Sequence, residues 1–339
     1  MRTIPSPPIV RDRSRTDSLI LMSAAVPLSE IRAARQRVSG YLHRTPLVSS
    51  RALTDRLDRR ISLKLELLQK TGSFKPRGAF NEILSLDADA RHTGVVGVSG
   101  GNFAQGLAFA GRTLDVPVTI IMPASTPANY VEATRGYGAS IELVDGIAEA
   151  FRRADELAER GLARLHPFDD PNMMAGNGTI GLEIVEDAPD MTDLFVSIGG
   201  GGLMTGVASA VKALRPDVRV WGVETEGADA MRRALDAGRV VEMEITSIAK
   251  TLGAPWVSQR TLAAAGELLD DVVVVSDAEA FDAILLLLER AKVMAEPAAS
   301  CTVAAAERLR ERLGGHVVLL LCGGNLSFGD LMEWRERFG

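Results

Sequence analysis

Lys75 is the residue of this chain best placed to do covalent chemistry. It closes the polar turn Thr71-Gly72-Ser73-Phe74 and precedes Pro76, inside a stretch running from Lys64 to Asn81. Ile61 to Leu67 reads as a buried strand, β-branched at its head. Thr71-Gly72 breaks it, Ser73 is placed to cap a helix, and Pro76 falls where the first helical turn tolerates a missing N–H. Lys75 then lies in the first turn of that helix, where the partial positive charge of the terminus opposes an ammonium. Desolvation would push it further toward the neutral amine, a nucleophile that condenses with carbonyls. The chain has only six lysines, Lys64, Lys70, Lys75, Lys212, Lys250 and Lys292, among 38 basic residues. We read Lys64 and Lys70 as ordinary solvated lysines and Lys75 as the functional one.

Gly199, Gly200, Gly201 and Gly202 follow a strand and open a helix. Consecutive glycines let backbone N–H groups point into one concavity, and the helix dipole adds positive potential, which together make a phosphate cradle. A tight packing turn is the alternative reading. The spacing also loosely matches a dinucleotide fingerprint, with Glu224 as the nominal acidic partner after the next strand, so a nucleotide- or NAD-binding protein stays open on this loop alone. A nucleophilic lysine and a phosphate cradle together point to pyridoxal phosphate.

The elements that must carry these residues alternate as strand and helix. Leu194 to Ile198 is the strand before the glycines and Leu203 to Leu214 the helix after them. Gly94 to Val98, Val116 to Met122, Ser140 to Val144 and Leu162 to His166 are strands separated by helices. Pro167 to Gly178 reads as a loop, Thr179 to Glu186 as a helix, Ile245 to Thr261 as irregular, Asp277 to Ala295 as a helix, and Val317 to Leu321 as a strand entering Cys322-Gly323-Gly324-Asn325. The expectation is an α/β fold of mostly parallel sheets covered by helices. Four glycine-bearing turns at strand ends, Thr71-Gly72, Ser99 to Asn102, Gly199 to Gly202 and Cys322 to Asn325, are expected to meet in one cleft. A length of 339 residues favours two domains: a large one from 26–92 and 169–339 and a small one at 93–168, after a disordered extension at 1–25 in which Met22 is a second candidate start. The net charge of −6 and the lack of a basic block argue against nucleic acid and acidic membrane surfaces, and no apolar run is long enough to cross a membrane. Two cysteines, Cys301 and Cys322, suggest a reducing, cytoplasmic setting. His43, His92, His166 and His316 lack metal spacing and read as structural or surface residues.

The segment Lys64 to Ala79, with its Thr-Gly-Ser-Phe-Lys-x-Arg-Gly-Ala core, resembles the Schiff-base segment of fold-type II pyridoxal-phosphate enzymes of the tryptophan synthase β-like architecture. Within them it is similar to the threonine/serine dehydratase and serine racemase branch. Ser99-Gly100-Gly101-Asn102, Ala175-Gly176-Asn177-Gly178-Thr179, Gly199 to Gly202, Glu296-Pro297-Ala298-Ala299 and Cys322-Gly323-Gly324-Asn325 resemble further motifs of that family, in order, from about Val26 to Gly329. The resemblance implies Lys75 as cofactor anchor and proton-transfer base, with Phe74 stacked beside the cofactor ring. It implies Asn102 on the phenolic oxygen, Gly199 to Gly202 on the phosphate, Glu296 at the cofactor, and Cys322 opposite the pyridine nitrogen. Ser99, Gly100, Gly101, Asn102 and Phe103 are implied as substrate contacts. The activity implied is β-elimination from L-threonine or L-serine to a 2-oxo acid and ammonia, by a homodimer or homotetramer. The chain ends soon after the last motif, so no C-terminal regulatory domain is expected.

Three departures narrow this. Racemising relatives carry a second Ser where this chain has Gly100, so elimination without efficient racemisation is expected. Phe103 replaces the usual His, which leaves room for a bulkier β-substituent such as that of phenylserine. The family's divalent-cation site is matched only by Glu224 and Ala228, since Ala230 stands at the second carboxylate position, so no metal is assigned. A dehydratase for phenylserine or 3-hydroxyaspartate is the alternative enzyme. Hydroxyaspartate ranks lower, because no Arg stands in the matched substrate loops.

Overall fold

The computed structural model describes residues 23–339. Most of the expected extension, residues 1–22, therefore lies outside the described residues. Its last part is bound rather than loose: Ser23 and Ala24 donate to the Glu267 carboxylate, the Ala24 amide at 2.9 Å.

Among the described residues ten strands define the frame: β1 (Leu47–Ser49), β2 (Arg60–Leu65), β3 (Val95–Val98), β4 (Val118–Pro123), β5 (Ser140–Val144), β6 (Ala163–Leu165), β7 (Asp193–Ser197), β8 (Arg219–Thr225), β9 (Asp271–Val275) and β10 (His316–Leu321). They form a six-stranded sheet in the order β1-β2-β10-β7-β8-β9 and a four-stranded sheet in the order β5-β4-β3-β6. Every pairing is parallel except β1 with β2. β10, His-Val-Val-Leu-Leu-Leu, is buried throughout, as a central parallel strand must be when helices cover both faces. The fold is α/β with mostly parallel strands, as expected. Because β2, β10 and β7 are neighbours, the turns leaving their carboxyl ends emerge side by side, which is how Lys75, Cys322 and Gly199 come together.

Several local expectations change. Ser73 does not cap the helix Pro76–Ser85; Lys75 itself takes the cap position, with no side-chain cap bond. The reason is pairing with the turn after β10: Ser73 bridges Gly323, Phe74 N–H donates to the Cys322 carbonyl at 3.0 Å, and Gly324 N–H donates to the Gly72 carbonyl at 2.9 Å. The Pro167 to Gly178 loop is mostly helix, because Pro171–Asp187 starts where the Asp170 side chain accepts from the Asn172 and Met173 amides. Its glycines are contact points. A Cβ on Gly176 would collide with the Arg77 carbonyl, and one on Gly178 would lie 2.9 Å from the Gly206 carbonyl. Pro171–Asp187 is thus pressed, backbone to backbone, between Pro76–Ser85 and Gly202–Leu214, the two helices whose first residues adjoin the site. Helices also form over Ala88–Thr93, Gln259–Leu268 and Phe328–Phe338, and the helix from Asp277 ends at Leu286 in a π turn.

Lys64 is not solvated. It is fully buried, donating to Glu183 Oε2 at 2.5 Å and to the Thr45 carbonyl at 2.7 Å. The same Glu183 and Glu66 clasp Arg77 from two sides, at 2.7 and 2.8 Å. His316 is buried between Ser62 and Asp190, its Nε2 2.9 Å from Ser62 Oγ, consistent with a structural role. Among the described residues no helix is long and apolar enough to cross a membrane.

Candidate active site

A cavity of about 540 Å³ opens where the strand ends meet. Its wall includes Phe74, Lys75, Ser99, Gly100, Gly101, Asn102, Phe103, Gly199, Gly200, Gly201, Gly202, Glu296 and Cys322, so every residue proposed for cofactor or substrate reaches one space. Of the four turns, Thr71-Gly72 is absent from the wall and instead buttresses Asn325: the Thr71 carbonyl accepts from Asn325 Nδ2 at 2.8 Å.

Lys75 Nζ donates to the Pro167 carbonyl at 3.0 Å and stands 5.1 Å from the Phe74 ring centre and 5.7 Å from that of Phe103. Burial lowers its pKa to about 8, and nearby Glu82, Cys322 and Glu296 oppose the shift. That opposition is weak, because burial also drives the Glu82 carboxyl and the Cys322 thiol well above their usual ranges and lifts Glu296 to about 7. Desolvation makes the amine available. Only the neutral amine attacks a carbonyl. The rate at which pyridoxal phosphate loads onto the cofactor-free protein should therefore climb with pH, with a midpoint near 8, and level off above it. Stopped-flow absorbance reads this directly; a rate flat from pH 6 to ~10 would contradict a lysine perturbed in this sense.

The glycine turn is built as a cradle. Gly201 has φ +95°, a left-handed conformation that side chains resist, and it caps helix Gly202–Leu214. A Cβ on Gly200 would run into the Phe168 ring, and one on Gly202 would sit 2.6 Å from the Phe168 carbonyl. The backbone here must be bare to leave its amides accessible at a helix N-terminus, which suits a phosphate. Gly200→Ala is accordingly expected to weaken pyridoxal phosphate binding by at least about tenfold, equivalent to ~1.4 kcal/mol, in a titration of the cofactor-free protein. An unchanged dissociation constant would show the loop is only a packing turn.

Asn102 donates from Nδ2 to Glu296 Oε1 at 2.9 Å and accepts at Oδ1 from Asn325 Nδ2 at 2.8 Å. Glu296 Oε1 also receives the Thr251 hydroxyl at 3.0 Å, while its Oε2 has no protein partner. Cys322 is buried with Sγ 3.5 Å from the Ala298 carbonyl, so it presents a neutral thiol. A buried amine, a bare glycine turn at a helix N-terminus and a neutral thiol in one cavity fit pyridoxal phosphate.

Glu224 and Ala228 are not in the cavity wall. Glu224 is buried, and its two oxygens accept the Met231 and Arg232 amides at 2.8 Å each. A carboxylate so occupied does not reach a ribose hydroxyl, which removes the support for a dinucleotide. Among the described residues no three His, Cys, Asp or Glu side chains cluster as metal ligands. Sequence reasoning missed Lys250, Thr251 and Trp256, from the stretch read as irregular, and Phe168 and Tyr130. No local pattern marks them.

The fold and the site define a pyridoxal-phosphate enzyme of fold type II. The family profile described as "Pyridoxal-phosphate dependent enzyme" matches residues 38–323, and the chain belongs to that family; its cofactor is pyridoxal phosphate. The chain is 40% identical over 305 residues to an L-threonine ammonia-lyase of Thermotoga maritima, covering 89% of this chain and 76% of that protein. It is 37% identical to an L-threo-3-hydroxyaspartate ammonia-lyase of a Pseudomonas species, over 87% of this chain and 93% of the other. Maize serine racemase superposes with a TM-score of 0.87 at 32% identity, covering 92% of this chain and 98% of that one.

Proposed function

We propose that the protein eliminates water and then ammonia from L-threonine and L-serine, releasing 2-oxo acids. The observation that carries this reading is Lys75, a buried amine lowered to about 8 in the cavity it shares with the Ser99 to Phe103 loop and the glycine cradle. Pyridoxal phosphate, when bound, supplies the electron sink that acidifies Cα–H and lets a β-hydroxyl leave. Lys75 would anchor it and would take the Cα proton at Nζ, with the Pro167 carbonyl at hand to hold the amine. Phe74 would pack beside the ring, Asn102 and Glu296 would orient its phenolic-oxygen side, Gly199 to Gly202 would hold the phosphate, and the Cys322 thiol would offer the pyridine nitrogen a neutral partner. Ser99 and the Gly100 to Asn102 backbone take the substrate carboxylate, and Phe103 bounds the β-substituent.

Gly100 supports elimination over racemisation. The space its side chain would need is taken by Thr126, whose Oγ1 lies 2.6 Å from an ideal Cβ. D-Serine should therefore form from L-serine far more slowly than pyruvate. A second reading, elimination from 3-hydroxyaspartate, is favoured by Lys250, which with Lys75 supplies the basic side chains of the cavity wall. One panel decides: 2-oxo acid release from L-threonine, L-serine, L-threo-3-hydroxyaspartate and threo-phenylserine. L-Threonine and L-serine should be turned over best. A preference for 3-hydroxyaspartate that falls about tenfold in Lys250→Gln, the loss of one charge-assisted hydrogen bond, would favour the second reading.

A further inference from the structure

Tyr130 belongs to helix Ala128–Gly136, which follows β4 of the four-stranded sheet, whereas Asn325 lies beyond β10 of the six-stranded sheet. Both line the cavity, and the Tyr130 hydroxyl donates to the Asn325 main-chain carbonyl at 2.6 Å. We propose that Tyr130 is a positioning residue that holds the two sides of the cleft together and fixes the orientation of the Asn102 amide. The proposal rests on the cofactor and on the place of Asn102 in the cavity, and not on which amino acid is the substrate.

The argument is one of hydrogen-bond polarity. A backbone carbonyl only accepts, so the Tyr130 proton must point at Asn325. The Thr71 carbonyl likewise only accepts, so the Asn325 atom 2.8 Å from it must be the amide nitrogen. That nitrogen also faces Asn102 at 2.8 Å, which obliges Asn102 to turn Oδ1 toward it and Nδ2 toward Glu296. Asn102 is left with one uncommitted N–H, and so offers the cofactor a donor. The relay stays in register only while Asn325 keeps its place. Thr71, which anchors it, has φ +62°, a conformation that a β-branched residue resists. Asn102, at the head of helix Asn102–Leu114 after β3, and Tyr130 both come from the four-stranded sheet, so Tyr130 adds a second bond across the cleft to the same Asn325 that faces Asn102. Burial keeps its phenol protonated, and therefore a donor.

Removing the hydroxyl would leave the Asn325 carbonyl without its donor and free helix Ala128–Gly136 from the turn. Tyr130→Phe and Tyr130→Gln are to be compared with the parent in three measurements: the pyridoxal phosphate dissociation constant of the cofactor-free protein, KM and kcat taken separately, and the melting temperature. The Phe variant should keep its melting temperature, bind the cofactor about tenfold more weakly, and lose kcat/KM chiefly through KM. The Gln variant, which retains a donor, should recover part of both losses. A Phe variant with unchanged cofactor affinity and unchanged KM overturns the proposal. So does a loss that follows melting temperature and is not eased in the Gln variant. Should none of the β-hydroxy amino acids prove to be a substrate, the cofactor titration still decides.

Discussion

Lys75→Ala should bind pyridoxal phosphate without the absorbance band at about 410–420 nm that lysine-bound cofactor gives, and should lose turnover by at least about 10³-fold. The two roles proposed for Lys75, covalent anchor and Cα base, would vanish together, and neither has an understudy. Glu82 and Glu296 are buried carboxyls pushed toward their protonated forms, and Cys322 is a neutral thiol, so none is a base of the needed strength at neutral pH. Lys250 is the other lysine of the wall, but it stands exposed, whereas Lys75 is buried and its pKa is lowered to about 8. The protein should still fold, since the deleted amine makes a single hydrogen bond, to the Pro167 carbonyl. Undiminished turnover in Lys75→Ala would remove the basis of the proposed chemistry.

Arg77→Met should destabilise the fold by about 3–5 kcal/mol, as expected when one partner of a buried ion network is deleted. Arg77 is 2% exposed and donates five hydrogen bonds to Glu66, Glu183 and Thr179, between 2.7 and 3.0 Å. With Lys64 the network balances two cations against two carboxylates. Without Arg77 two buried carboxylates remain with one cation, Lys64, which bonds Glu183 and not Glu66. The sign of the pH response separates this from a packing defect. In the native network Glu183 is held below the usual carboxylate range by Arg77 and Lys64 against the cost of burial, so acidification removes stability. In Arg77→Met the surplus carboxylate has its pKa raised by burial, so acidification lets it take up a proton and the deficit relative to the parent shrinks. Urea unfolding at two pH values measures both. A deficit below ~1 kcal/mol, or one that grows as pH falls, would contradict this account.

Why some of this was legible in the sequence and some was not has a physical reason. Lys75, Ser99 to Asn102, Gly199 to Gly202 and Cys322 occupy turns at the ends of parallel strands, where local signals and the geometry of an α/β sheet point the same way. Gly176 and Gly178 misled because their type signals a turn, yet they serve as points of helix-to-helix approach. Lys64 misled because its partners, Thr45 and Glu183, lie 19 and 119 residues away. Tyr130, Lys250 and Thr251 come from segments whose approach to the cavity is set by the packing of one sheet against the other, which leaves no spacing to read. Glu224 had the right position for a nucleotide or metal ligand and was instead occupied by two backbone amides.

The most direct test is reductive trapping of the cofactor on its lysine. The pyridoxal phosphate-loaded protein is reduced with borohydride, digested and mapped by mass spectrometry. Of the six lysines, Lys75 alone should carry the pyridoxyl mass. The modification on Lys250 or another lysine, or an unmodified Lys75 in a fully loaded protein, would contradict the account.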